Sequence, residues 1–215
     1  MSTCIIACRT LEKELQRAMA NTGCTYPILW LEAGGHNLPD KRRREIQSAL
    51  DSCTDYDTVL LAMSLCGNLA AGLESRNFRL VVPRCDDCIT LLLGSRERRR
   101  EYPGTYFLTE GWLSGRDNLW TEYQRSVEKY GSDRTQKIFS GMFANYTRMA
   151  FVDTGCGDAA QQVQSVANAL NLQFTRLPGT LNWLEELLSP SCDDRRFLIL
   201  PPHSTLALDA CFQTS

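Results

Sequence analysis

Short apolar runs rich in β-branched residues alternate with amphipathic helical stretches along almost the whole chain, and this alternation restricts the fold more than any other feature. The strand-like runs are Cys4–Arg9, Pro27–Glu32, Thr58–Ser64, Phe78–Pro83, Thr105–Thr109, Met149–Asp153, Gln173–Leu177 and Arg196–Leu200. Between them, helical patterning covers Leu11–Asn21, Asp40–Ser52, Leu69–Ser75, about Asp86 to Arg100, about Asn118 to Tyr146, Asp158–Leu170 and Leu181–Leu188. The long region from Asn118 carries a break signal at Gly131-Ser132. Strands that are apolar at nearly every position suit a parallel sheet covered on both faces. Repeated β-α units of this kind predict a doubly wound α/β fold, with a mostly parallel sheet or sheets flanked by helices. The 215 residues fit a single α/β domain or two Rossmann-like lobes with a boundary within 115–148.

Charge narrows the function classes. The formal net charge is −2 and the pI about 5.8, so no global positive field draws in nucleic acid. Two basic runs, Lys41-Arg42-Arg43-Arg44 and Arg96-Glu97-Arg98-Arg99-Arg100, fall on helices with acids nearby and read as solvated faces. No apolar stretch approaches the roughly 20 residues that span a bilayer. The run at Cys4–Cys8 lacks the basic leader of a signal peptide. The expectation is a cytoplasmic protein that binds neither nucleic acid nor membrane. Ten cysteines then stand out, because a reducing compartment does not favour structural disulfides and leaves thiols for metal, cluster or redox chemistry. Some of them pack as small hydrophobes.

In open parallel sheets, ligands bind beyond the carboxyl ends of the strands. Four successive strands deliver soft ligands to that edge: Cys8 after the first, His36 in Gly34-Gly35-His36-Asn37 after the second, Cys66 in Leu65-Cys66-Gly67-Asn68 after the third, and Cys85 and Cys88 after the fourth. Thiolate and imidazole together suit zinc or an iron–sulfur cluster. Cys88 falls in the first turn of a helix, where the dipole favours thiolate. Cys85 and Cys88 have the spacing of a redox pair, but no second C-x-x-C completes a zinc knuckle, and Cys88 is the stronger ligand candidate. Arg84 is placed to bind a carboxylate or phosphate, or to pair with Asp86 or Asp87. Gly155-Cys156-Gly157-Asp158 lacks dinucleotide or P-loop spacing. The aromatic-rich stretch Pro103 to Trp112 is either core or a pocket wall, and no serine-hydrolase elbow or H-E-x-x-H motif is present.

Several of these stretches resemble a known family. They are Ala7-Cys8-Arg9-Thr10-Leu11-Glu12, Leu65-Cys66-Gly67-Asn68, Pro83-Arg84-Cys85-Asp86-Asp87-Cys88-Ile89 with Leu91-Leu92-Leu93-Gly94-Ser95, Pro103-Gly104-Thr105-Tyr106 with Leu108-Thr109-Glu110-Gly111-Trp112, and Phe151-Val152-Asp153-Thr154-Gly155. The chain from Cys4 to about Pro202 resembles the domain of unknown function sixteen-thirty-eight family. The resemblance implies a setting beside corrinoid-dependent methyl-transfer systems, with a corrinoid protein or methyltransferase as partner. The matching positions are Cys8, His36, Cys66, Arg84, Asp87 and Cys88. At Leu69 this chain departs from the glycine that follows Asn68 in the family pattern.

Together these residues predict a metal-binding protein. Cys8, Cys66 and Cys88, with His36 as fourth ligand or acid–base neighbour, hold zinc or an iron–sulfur cluster. Arg84 and Asp87 orient a small-molecule substrate. The activity expected for zinc is methyl- or thiol-group transfer, since zinc keeps a bound thiolate nucleophilic at neutral pH. Two other readings stay open: a non-catalytic corrinoid or metal chaperone, and a metal-free enzyme with Cys66 or Cys88 as nucleophile.

Overall fold

The strands form two sheets rather than one. The structure, a computed structural model, describes residues 2–34, 38–115, 118–189 and 195–207. In the first sheet, β1 (Thr3–Cys8), β2 (Ile28–Leu31), β3 (Thr58–Ala62), β4 (Arg79–Pro83) and β8 (Phe197–Leu200) lie in the order β2-β1-β3-β4-β8. All pairs are parallel except β4 with β8, which run antiparallel with Leu80 opposite Leu200 and Pro83 opposite Phe197. The second sheet, β5 (Thr105–Leu108), β6 (Arg148–Asp153) and β7 (Gln173–Pro178), is wholly parallel in the order β5-β6-β7. The mixed α/β architecture, mostly parallel and flanked by helices, is the one the strand pattern predicts. The second sheet begins at Thr105, ahead of the 115–148 window, and the chain returns to the first sheet with its last strand.

The side-chain period of two explains why the strands are apolar throughout. From β1, Ile5 and Ala7 enter one core with Leu60, Ala62 and Val81, whereas Cys4, Ile6 and Cys8 enter the other with Val59, Leu61, Leu80 and Val82. Helices α1 (Glu12–Thr22), α3 (Cys88–Leu93) and α9 (Asn182–Leu187) cover the first face through Leu15, Leu91 and Leu184. Helix α2 (Pro39–Asp51) covers the second face through Ile46 and Leu50. Each such fully buried side chain contributes about 1.5–3 kcal/mol. The first core runs on into the second sheet through Ala150, Val152 and Leu177, so the two sheets share apolar interior.

Two helical regions are divided, one where the pattern marks no break and one at the expected Gly131-Ser132 position. The stretch from Asp86 to Arg100 divides at Gly94, whose φ of 94° ends α3, and Ser95 then caps α4 (Arg96–Arg100) by accepting from the Arg98 amide. After β5, α5 (Glu110–Ser114) precedes α6 (Leu119–Tyr130), and Gly131 at φ 78° separates α6 from α7 (Ser132–Met142). Helix α8 (Ala160–Ala169) completes the set and packs Val163 and Val166 against Met149 and Phe151 of β6. Among the described residues, no helix is long and apolar enough to cross a membrane.

Candidate functional site

The carboxyl ends of β1 and β3 and the start of α3 meet at one small cavity. Its walls are Cys8, Thr10, Leu11, Arg42, Met63, Ser64, Cys66, Leu69 and Cys88, and it offers about 10 Å³ to the centre of a water, room for about one. Three of the four metal-ligand candidates therefore converge from separate elements. His36, the fourth, lies outside the described residues. As placed, no three His, Cys, Asp or Glu side chains among the described residues are gathered tightly enough to hold an ion.

Local structure explains how each thiol reaches the cavity. Cys8 ends β1, where the chain turns into a 3-10 segment, Arg9–Leu11, that also brings the buried Thr10 to the wall. Cys66 follows β3 with a φ of 44°, a left-handed conformation unusual for a non-glycine residue, which turns the chain over the end of the sheet. Cys88 is the first residue of α3, fixed by the Asp87 cap, whose carboxylate accepts from the Thr90 amide and hydroxyl, each at 2.8 Å. The first cysteine of the C-x-x-C motif goes elsewhere: Cys85 is 1% exposed, sits in the first core and does not line the cavity.

Each of the three sulfurs has a polar partner. The Arg42 guanidinium donates to Cys8 Sγ at 3.6 Å and to the Glu32 carbonyl at 2.6 Å, while the Cys8 thiol points at Thr10 Oγ1, 3.3 Å away. Ser64 Oγ lies 3.2 Å from Cys66 Sγ, and the Trp112 indole N–H donates to Cys88 Sγ at 3.3 Å. Burial pushes the Cys66 thiol up to about 11, against the pull of the Ser64 hydrogen bond. Burial also raises Cys88, with the neighbouring Cys66 adding to it and the Trp112 N–H opposing it. Without added positive charge these are protonated thiols at neutral pH, and only the thiolate is a strong nucleophile.

The other sequence candidates lie outside the cavity wall. Asp87 caps α3 and pairs with Arg99, and Asp86 takes Arg96 in a two-pronged bond at 2.9 Å. The Arg84 backbone amide donates to the Arg196 carbonyl at 2.8 Å. The Arg96–Arg100 helix buries none of its residues, as a solvated face should.

The first basic run needs a correction. Arg42, read as part of a solvated face, is 4% exposed and forms a cavity wall. The signal for this was its spacing: Arg42, Ile46, Ala49 and Leu50 fall on one face of α2, and all are buried. Thr10, Ser64 and Trp112 were also not singled out. Trp112 sits in the aromatic stretch considered as core or pocket wall, and here it does both, packing on the core and holding Cys88.

A cleft of about 520 Å³ opens beside the thiols. It shares the Thr10 wall with the cavity and is bounded by Glu32, Ala33 and Gly34 after β2 and by Gly111, Trp112, Ser114 and Gly115 on α5 and just past it. Gly111 makes this junction possible. A Cβ there would lie 1.8 Å from the Thr10 carbonyl oxygen, so only glycine lets α5 approach the turn after β1.

No curated protein and no solved structure matches the chain. One family does match, over residues 30–188, a stretch that holds Arg42, Ser64, Cys66, Cys88 and Trp112 and begins after Cys8. It is described as protein of unknown function (DUF1638), and with more than half of its length matched the chain belongs to that family.

Proposed function

We propose that this protein binds a metal ion through Cys8, Cys66 and Cys88, with the remaining coordination position open to His36 or to a substrate thiol. The observation that carries the reading is the convergence of three thiols from separate elements on one small cavity, each sulfur with a polar partner within 3.2–3.6 Å. Hydrogen bonds to ligand sulfurs orient them and tune the centre they hold. A cation supplies the charge that buried thiols need in order to ionise. The space at the centre is about that of one water, which supports a single ion such as zinc over a bulkier iron–sulfur cluster. The charge of Arg42, buried beside Cys8, offsets the excess negative charge of a three-thiolate site.

In this reading, zinc lowers the pKa of a substrate thiol that enters from the neighbouring cleft and keeps it ready to accept a methyl group. The setting implied by the family resemblance, a corrinoid protein or methyltransferase as partner, belongs to the same proposal. Thiols drawn from three elements must draw together to close on the ion, so binding also stiffens the strand-end loops.

Elemental analysis and a visible absorption spectrum of protein purified without oxygen test the proposal. The expected result is close to one zinc per chain in colourless protein, lost on Cys66→Ala or Cys88→Ala, with a change in Trp112 fluorescence as chelator removes the metal. Brown protein with iron and sulfide would move the centre to a cluster. Metal-free protein that takes up neither zinc nor iron would overturn the reading.

A further inference from the structure

A second pair of cysteines meets in the other core of the first sheet, away from the cavity. Cys4 lies near the start of β1 and Cys53 just beyond the last turn of α2, and they are 3% and 2% exposed. The Cys4 thiol donates to the Cys53 sulfur across 3.6 Å, and the Cys53 thiol donates to the Ala49 carbonyl at 3.3 Å. Two sulfurs already in contact need only a small approach to reach the roughly 2.0 Å of a bond. The pair also joins two elements that touch again at the candidate site. Cys4, Ile6 and Cys8 share one face of β1, and α2 carries Arg42, the donor to Cys8, in its first half.

The geometry points to Cys4 and Cys53 as a redox modification site, an internal thiol pair that hydrogen peroxide converts to a disulfide and a dithiol reductant reopens. Cys53 reacts first, because the hydrogen bond from Cys4 holds its thiol below the ordinary range while Cys4 is raised. Its thiolate attacks one peroxide oxygen, the O–O bond breaks, and the departing hydroxide takes a proton and leaves as water. Cys53 is then a sulfenic acid. The Cys4 sulfur attacks the Cys53 sulfur, the S–O bond breaks, and the hydroxyl leaves with the Cys4 proton as a second water. Two thiols and one peroxide give one disulfide and two waters, with two electrons passing from sulfur to oxygen. Peroxide suits the site because it is small enough to reach sulfurs that are 2–3% exposed, whereas the bulkier dithiol reductant reaches the disulfide only as the chain opens locally. A partner thiol in contact captures the sulfenic acid before a second oxidation makes it irreversible.

The test is to titrate the reduced, folded full chain with hydrogen peroxide, remove the peroxide, alkylate the remaining thiols in denaturant and map the links by tandem mass spectrometry. The expected result is parallel loss of alkylation at Cys4 and Cys53, a linked pair of their peptides, and recovery of both thiols with dithiothreitol. The link should persist in Cys88→Ala and vanish in Cys53→Ala. Should that last variant fail to fold, the map of the unsubstituted chain decides alone. Cys53 ending as sulfinic acid with Cys4 still free would overturn the inference. So would links confined to Cys8, Cys66 and Cys88, or Cys4 and Cys53 remaining fully alkylatable.

Discussion

At Cys66 the chain accepts backbone strain where a thiol is wanted. Its φ of 44° costs a side-chain-bearing residue about 1–2 kcal/mol relative to glycine. Cys66→Gly should therefore be more stable than Cys66→Ala by about 1 kcal/mol in urea denaturation, although both lose the metal. Equal stability of the two would mean the turn is not strained. Arg42 makes the complementary case. Replacing it with Met keeps the volume but leaves the Glu32 carbonyl and the Cys8 sulfur without their donor. An unsatisfied buried acceptor costs about 1–3 kcal/mol, so Arg42→Met should lower stability by that amount and weaken metal retention against a chelator. Both bonds come from one guanidinium nitrogen, Nη2, while Nη1 holds Glu45, so Arg42→Lys should keep the two buried acceptors satisfied only by giving up the Glu45 pair. The thiols were legible in the sequence because strand ends can be counted. Arg42 was less so, because a run of four cations reads as solvent-facing unless its helical phase with Ile46 and Leu50 is given more weight than its charge.

At the scale of elements, the junction of α3 and α5 sets the distance between Cys88 and Trp112. Asp87 acts there as a helix cap, and the two roles open to it have different chemical tolerances. If capping is what matters, Asp87→Asn keeps most of the stability, whereas Asp87→Ala loses about 1 kcal/mol and releases Cys88 from its position. Thermal melts of the two variants, with metal content measured beside them, check this. An Asn variant as damaged as the Ala variant would point to the charge instead. Gly111→Ala meets backbone, with 1.8 Å between the new Cβ and the Thr10 oxygen, so α5 must shift. The expected outcome is destabilisation of about 1–3 kcal/mol and altered Trp112 fluorescence as its bond to Cys88 opens. The break at Gly94-Ser95 is hard to see in the sequence because a run of good helix formers, Arg96 to Glu101, follows it directly. A glycine C-cap followed by a serine N-cap was the signal, and it resides in backbone conformation rather than hydrophobicity.

Across the whole molecule, Glu14 links the two sheets. It is fully buried on α1, accepts from Thr154 Oγ1 beyond β6 at 3.0 Å, and finds no hydrogen-bond partner for Oε2 among the described residues. Burial raises its pKa above the usual carboxylate range, opposed by hydrogen bonds from its own backbone and from Thr154, and Glu110 adds to the rise. A raised pKa in the folded state means that the stabilising share of this group is complete below its unfolded pKa, near 4.3, and fades as pH rises through the folded value. Stability of Glu14→Gln relative to the unsubstituted chain should accordingly increase as pH rises through that window. A difference that stays flat from pH 4 to 8 would show that Glu14 ionises no differently on folding. The parallel core was legible because period-two burial on both faces leaves uninterrupted apolar runs. The direction of β8 was not, because Phe-Leu-Ile-Leu carries no mark of which way it runs.

The antiparallel seat of β8 orders events in time. Everything between β4 and β8, the whole second sheet included, lies within a loop of more than a hundred residues that must close before the first sheet has its last edge. Such distant contacts form late, so a chain emerging from the ribosome holds β4 as a bare, apolar rim until Phe197–Leu200 arrives. Nascent chains stalled before Phe197 should stick to one another through that rim, and the completed protein should not.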